Sequence, residues 1–384
     1  MSIFDVLKEL KASEIRRMFE LAAKREDSIS LGIGEPDFPT PKDIKERVKK
    51  ALDADATHYA PNAGIPELRE AIAEKSRREN GIDCTADEVL VTIGATEGLF
   101  LALASILKEG DEVLVPAPAF LTYNASISLA GGKSIEVPCM EKNNFHINAK
   151  DIEQSINNRT RAIIIASPNN PTGAALSKEE LKSIAELAIE KDLFIITDEV
   201  YERFMYDGRK SFSIASMPEA RDKTITINSF SKTYAMTGWR IGYAIAPEEV
   251  FSKMLKLHMY IASCINTFSQ YGALEALRGG YESVDKMIAE YARRRSYVYD
   301  RLSAMKHVRV TKPEGAFYFF PNIEDTNLSS ADFCDKLFDE TGVVVVNGEA
   351  FGECGSGHVR ISYATSMEKL EKAMDRMESF LEKI

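Results

Sequence analysis

No two cysteines stand in a CxxC spacing, and no histidines in HExxH. The five cysteines (Cys84, Cys139, Cys264, Cys334, Cys354) are scattered and odd in number. That distribution argues against a disulfide framework and fits a reducing, cytoplasmic compartment. The five histidines lack metal-ligand spacing, so no metal is expected. No run of 18 apolar residues occurs, so no membrane span is expected either. The opening stretch, MSIFDVLKELKASEIRRMF, is amphipathic and charged, without the apolar core of a signal peptide. Basic residues are outnumbered, 48 Lys and Arg against 59 Asp and Glu, for a net charge of -11. This disfavours nucleic acid and anionic membrane as partners, although a local arginine pocket can still hold an anion. Gly32 and Gly34 form a GxG, but prolines follow it instead of a helix, which makes a dinucleotide fingerprint a poor reading.

What remains is an ordinary globular composition over 384 residues, 45% hydrophobic and 28% charged. That length suits two or three domains, or one large domain with a smaller companion. Through the middle of the chain, short apolar runs alternate with helical patterns. EVLVTI (88–93), DEVLVPAP (111–118), RAIIIA (161–166), LFIIT (193–197) and TITIN (224–228) read as buried strands. Ser177 and Glu180 form a capping box that opens a helix. Continuous apolar strands separated by helices indicate an α/β fold, a mostly parallel sheet covered by helices on both faces. The last hundred residues read as a smaller α+β unit: a long helix from Asp285, the strands GAFYFFP, GVVVVN and HVRISYA, and a closing helix. The proline-rich GIGEPDFPTPKDI reads as an extended crossing. These patterns place a large domain at residues 41–280 and a small one at 1–40 with 281–384.

In such a sheet, ligands bind beyond the carboxyl ends of the strands. Four strand ends there carry polar groups: the Gly94–Thr96 turn, Asn169 and Asn170, Asp198, and Ser229 with Lys232. Taken singly, each has an ordinary explanation as a surface lysine, a turn residue or a loop. Their convergence on one sheet edge is harder to explain so. Lys232 lies in SFSKTYAMTGWRIGY, between two buried strands, with no acidic residue in the segment and Arg240 eight positions on. A lysine that attacks a carbonyl must lose its proton, and desolvation with a nearby cation lowers its affinity for one. A Schiff base with a pyridoxal ring would use every neighbour. Asp198 could hold the proton on the ring nitrogen, and Asn170 and Tyr201 could meet the ring oxygen. The Gly94–Thr96 turn, Ser229 and Arg240 suit a phosphate.

Over nearly its whole length the chain resembles the class I aminotransferases, fold-type I enzymes that use pyridoxal phosphate. The resemblance is carried by SLGIGEPDFPTP, THYAPNAGIPELREAIA, IGATEG, PAPAFLTY, SPNNPTG, TDEVYERF, SFSKTYAMTGWRIGY and HVRISYA. Archaeal aromatic and aspartate aminotransferases are the most similar in look. The resemblance implies that Lys232 takes the cofactor aldehyde and shuttles the substrate proton. It implies that Asp198 pairs with the ring nitrogen, that Tyr201 and Asn170 bond the ring oxygen, and that Phe120 stacks on the ring. Backbone amides of Ala95 and Thr96, with Ser229 and Arg240, would hold the phosphate, and Tyr59 would reach the phosphate of a neighbouring subunit in a homodimer. Arg360, helped by Asn170 and the Gly34 backbone, would clamp the substrate α-carboxylate. The expected activity is transfer of an amino group from an L-amino acid, aromatic or broad in range with aspartate possible, to 2-oxoglutarate by a ping-pong route. The alternative on the same fold is a carbon–sulfur β-lyase. Some relatives that act on acidic substrates carry a lysine in the glycine turn; Thr96 stands there in this chain. Ile15 and Phe19 would line the pocket and favour large apolar substrates.

Overall fold

The computed structural model describes residues 7, 8, 17, 18, 20, 22, 23 and 25–384. Ile15 and Phe19 lie outside the described residues. Twelve short strands are described: β1 (Ile29–Ser30), β2 (Val89–Thr92), β3 (Glu112–Ala117), β4 (Lys133–Pro138), β5 (Thr160–Ala166), β6 (Phe194–Asp198), β7 (Thr224–Ser229), β8 (Gly242–Ile245), β9 (Tyr318–Phe319), β10 (Val343–Val344), β11 (Val346–Asn347) and β12 (Val359–Ser362). Seven of them form one sheet in the order β2-β8-β7-β6-β5-β3-β4. Only β8 runs against its neighbours, pairing antiparallel with β2 and β7. The other six therefore present their carboxyl ends along one edge.

The apolar runs explain this sheet. In β5, Ile163 and Ile165 face one buried cluster with Leu114 and Ile195, while Ala162 and Ile164 face another with Val113, Val115 and Ile196. Alternate side chains point to opposite faces, so a strand apolar at every position needs cover on both sides. Helices Lys178–Glu190 and Gly94–Ile106 contribute to that cover on opposite faces. The first of these begins with the capping box read from the sequence, Glu180 N donating to Ser177 Oγ at 3.2 Å and Ser177 N to Glu180 Oε2 at 2.7 Å.

A separate core unites Ile29 and Leu31 with helices Glu282–Ala304, Ser330–Thr341 and Met367–Leu381 and the strands β9, β10 and β12. Here β1 pairs in parallel with β10, and β11-β12-β9 form an antiparallel sheet. The run GVVVVN is two strands instead of one. It breaks at Val345 because Val343–Val344 pair with the N-terminal segment and Val346–Asn347 with β12. Residues 31–41 have no regular secondary structure and run from the Leu31–Val344 backbone bond to Thr40, whose hydroxyl donates to Ala235 O at 2.6 Å. That crossing brings Gly32 and Gly34 to the carboxyl edge of the large sheet.

Candidate active site

A cavity of about 500 Å³ opens at that edge. Asp198 ends β6, Asn170 follows β5, Ser229 ends β7, and Ala95 and Thr96 follow β2 in the first turn of helix Gly94–Ile106. All five line the cavity, as do Gly34, Phe120, Tyr201, Lys232, Arg240 and Arg360. Tyr59 is the expected site residue that does not. Its side chain stands on the surface, 91% exposed.

Lys232 is carried on a short helical turn, Phe230–Thr233, capped by Ser229, whose Oγ accepts from Ser231 N at 2.9 Å. Its Nζ donates to Gly34 O at 2.5 Å. Its pKa is lowered to about 8, chiefly by desolvation; the Glu35 charge opposes that shift, Arg360 and Arg240 add to it, and Asp198 opposes it again. Asp198 accepts from Tyr123 Oη at 2.7 Å and from Val200 N at 3.2 Å. Desolvation raises its carboxyl in spite of those two bonds and the Lys232 charge. A carboxylate so placed favours a cationic partner on its open side.

Arg360 projects from β12 and is 1% exposed. Its Nη1 donates to Asn170 Oδ1 at 3.0 Å and its Nη2 to Gly32 O at 2.6 Å. The guanidinium carbon lies 4.7 Å from the Tyr318 ring centroid and 4.9 Å from that of Phe351. Arg360 Nε has no hydrogen-bond partner among the described residues, so this planar cation holds a donor that none of them uses. Buried donors of this kind are normally satisfied, and the bidentate fork of an arginine matches a carboxylate. The Gly32 carbonyl thus holds Arg360, and the Gly34 carbonyl accepts from Lys232.

At the glycine turn, Gly94 has φ +67°. A Cβ there would come 2.7 Å from Arg240 Nη2, so glycine is required both by the backbone and by the approach of the guanidinium. Arg240 is itself left-handed, φ 52°, and is held by Nη1 donating to Thr237 O at 2.7 Å. A cation beside a helix N-terminus forms an anion site.

Two residues with no role in the sequence reading belong to this site. Tyr123 is the partner of Asp198, and Tyr318 bonds Tyr201 through their hydroxyls at 2.7 Å. Tyr318 also packs so close to Gly34 that a Cβ there would lie within 3.2 Å of its ring carbon Cζ. Tyr123 stands at the end of PAPAFLTY and Tyr318 in GAFYFFP, a segment whose only sequence signal is that of a strand.

Comparison with known proteins agrees with this geometry. The model of the family "Aminotransferase class I and II" matches residues 26–377. The aromatic-amino-acid aminotransferase 2 of Thermococcus litoralis is 52% identical, the match covering 99% of this chain and 98% of that one. The aspartate aminotransferase of Pyrococcus abyssi is 50% identical over the same shares. Among solved structures, an aromatic aminotransferase from Pyrococcus horikoshii superposes with a TM-score of 0.92 at 49% identity, over 95% of this chain and 99% of that one. The Thermus thermophilus aspartate aminotransferase with maleate gives 0.95 at 38% identity, over 99% of this chain and 100% of that one. The fold thus has its counterpart in one class of protein, and the chain belongs to the class I and II aminotransferases. It is an amino acid aminotransferase of the fold-type I group and uses pyridoxal 5′-phosphate.

Proposed function

We propose that this aminotransferase takes aromatic or a broad range of L-amino acids, aspartate within that range, and passes the amino group to 2-oxoglutarate in two half-reactions. The observation that carries the reading is the pairing in one cavity of an amine brought down to about 8 with a buried guanidinium that keeps a free donor. Arg360, with Asn170, binds the α-carboxylate common to all amino acids. Lys232 takes the proton from the substrate Cα and returns it on the other side of the exchange. Asp198, braced by Tyr123, keeps a proton on the ring nitrogen of the cofactor, and Tyr201 and Asn170 meet the ring oxygen. The amides of Ala95 and Thr96, with Ser229 and Arg240, hold its phosphate, and Phe120 lies against its ring. When bound, pyridoxal phosphate supplies an aldehyde that exchanges for the amino group and a ring that withdraws electrons from Cα.

The described cations lining the cavity are Lys232, Arg240 and Arg360. Each has a task in this scheme, whereas Ile33, Leu99, Phe120, Leu121 and Tyr318 offer apolar surface. That balance favours phenylalanine and tyrosine over aspartate, in keeping with the printed name of the Thermococcus relative and at odds with that of the Pyrococcus abyssi one. Initial rates for twenty amino acids against 2-oxoglutarate decide it: aspartate turning over far faster than phenylalanine or tyrosine at equal concentration refutes the preference. A carbon–sulfur β-lyase would use the same residues, and release of pyruvate and ammonia from a thio-amino acid without an acceptor would favour it.

The same reading makes the protein a cytoplasmic homodimer, divided near residues 40 and 280. Tyr59, exposed in the single chain, would reach the phosphate in the partner's cavity, and Tyr260 and Ile261 are exposed apolar groups suited to the contact. The free cysteines suit a reducing compartment. A monomer mass by light scattering at micromolar concentration refutes the dimer.

A further inference from the structure

The segment Asp198–Glu202 has two faces. Asp198 and Tyr201 line the cavity. Glu199 and Glu202 point into the protein behind it, with Glu199 4% exposed and the Glu202 side chain 8% exposed. Two buried carboxylates three residues apart need an explanation, since burying a charge is costly unless it is paired.

The pairing comes from a distant helix. Lys75, at the end of helix Pro66–Lys75, is itself buried and makes an ion pair with Glu202 Oε1. Its Nζ also donates to Asn80 Oδ1 at 2.9 Å, and Asn80 Nδ2 donates to Glu202 Oε2 at 2.5 Å. Both oxygens of one carboxylate are thereby held by residues five apart in sequence. In an α-helix such residues lie about 140° apart around the axis and cannot share a target. Here the helix continues as a widened i→i+5 turn over Ser76–Asn80, ended by Gly81 at φ 70°, and that turn brings Lys75 and Asn80 to one side. Turns of this kind are rare and concentrate at functional sites.

Asn228 stands at the opposite wall, where it helps to hold the Glu202 carboxylate ionised, and its Oδ1 accepts from the Ser229 N–H at 2.7 Å, where the Lys232 turn begins. Burial alone would push Glu202 up, but the Lys75 charge and these bonds hold it below the usual carboxylate range. Glu199 has only Ser213 Oγ, which donates at 2.6 Å.

We propose that Lys75, together with Asn80, is a positioning residue of the transamination: through Glu202 it fixes the 198–202 turn in the orientation that aims Asp198 and Tyr201 into the cavity. The proposal rests on the roles given above to Asp198 and Tyr201. Nothing in it requires Lys75 to touch substrate or cofactor. An ion pair that served stability alone would have no need of the widened turn.

The test replaces the pair by apolar residues of similar length, Lys75→Met with Glu202→Met, so that neither member of the ion pair is left buried without the other. Affinity for pyridoxal 5′-phosphate is read on the apoprotein from the fluorescence of Trp239, the single tryptophan, which neighbours Arg240. The expected result is a thermal midpoint close to that of the parent, a cofactor Kd raised about tenfold, and kcat lowered about tenfold with KM changed by less than about twofold. A double variant that melts, binds cofactor and turns over as the parent does overturns the proposal. Should the double variant fail to fold, Asn80→Ala decides. It removes one bond to Glu202 and leaves the ion pair, and is expected to raise the cofactor Kd about fivefold; an unchanged Kd overturns the proposal. Asp198→Ala and Tyr201→Phe are measured alongside. If neither alters Kd or kcat, it is the assigned roles of Asp198 and Tyr201 that fail; if they do and the Lys75 and Asn80 variants do not, only the positioning inference fails.

Discussion

At Lys232 the amine is brought down to about 8, against 10.5 for an ordinary lysine. In the apoprotein, trinitrobenzenesulfonate labelling of this residue, followed by peptide mapping, is therefore expected to rise with a midpoint near pH 8, and a midpoint above about 10 refutes it. Lys232→Ala is expected to lower kcat by at least about 10³-fold while pyridoxal phosphate still binds through its phosphate contacts. At Arg360, two charge-assisted bonds to an α-carboxylate are worth about 3 kcal/mol, so Arg360→Ala is expected to lower kcat/KM roughly 100-fold for every amino acid. A loss confined to dicarboxylic substrates would show that its role is different. Lys232, Asp198 and the Gly94 turn stood out from the residues themselves, a lysine between buried strands, an aspartate ending a strand and a glycine turn opening a helix, whereas Arg360 was marked only by the family resemblance. Tyr123 and Tyr318 were not legible as site residues. Each acts through one hydroxyl on a partner 75 or 117 positions away, and nothing in the local pattern separates such a tyrosine from a core one.

Among elements, the strands of the large sheet were readable wherever they are buried on both faces, as at RAIIIA and TITIN. Strand β4 was not, because it lies at the sheet edge with a half-exposed pattern and no continuous apolar run. The turn at Ser76–Asn80 was equally hidden, since a 3.6-residue period carries no mark of an i→i+5 closure. One contact between elements predicts a pH effect. His146, in the loop after β4, bonds Glu180 Oε1 through Nδ1 at 2.9 Å and Glu314 Oε2 through Nε2 at 2.8 Å. Glu314 also accepts from Ala175 N, and its own N–H donates to Gly173 O. The histidine thus ties the NPTG loop to the segment that carries Tyr318. The bond from Glu314 raises the His146 pKa above 6.5, burial opposes this, and Glu180 adds to it. A group raised on folding contributes stability that is complete below its unfolded value and fades as pH climbs through the folded one. The thermal midpoint of the protein is expected to fall with rising pH in the window above 6.5, and His146→Gln to flatten that fall. An unaltered slope in the variant refutes the assignment.

For the whole molecule, the cavity lies between two cores, and the residues that face each other across it come from both. A carboxylate bound to Arg360 favours only the folded arrangement. A saturating amine-free acid such as 3-phenylpropionate, at a hundred times its Kd, is expected to add about 2.7 kcal/mol of stability. The shift in thermal midpoint should vanish in Arg360→Ala, and a shift that persists there would place the acid elsewhere. The α/β architecture was open to sequence reasoning because strand–helix alternation is a coarse signal. The way the N-terminal crossing closes the cavity was not, since Gly32 and Gly34 act through backbone carbonyls, which every residue possesses.

The bond between the Gly32 carbonyl and Arg360 joins positions 328 apart. A growing polypeptide holds the first of these groups 328 residues before it acquires the second. The carboxylate receptor proposed at Arg360 therefore cannot form until β12 has been made, and a chain lacking β12 is expected not to discriminate an acid from its amide by this means.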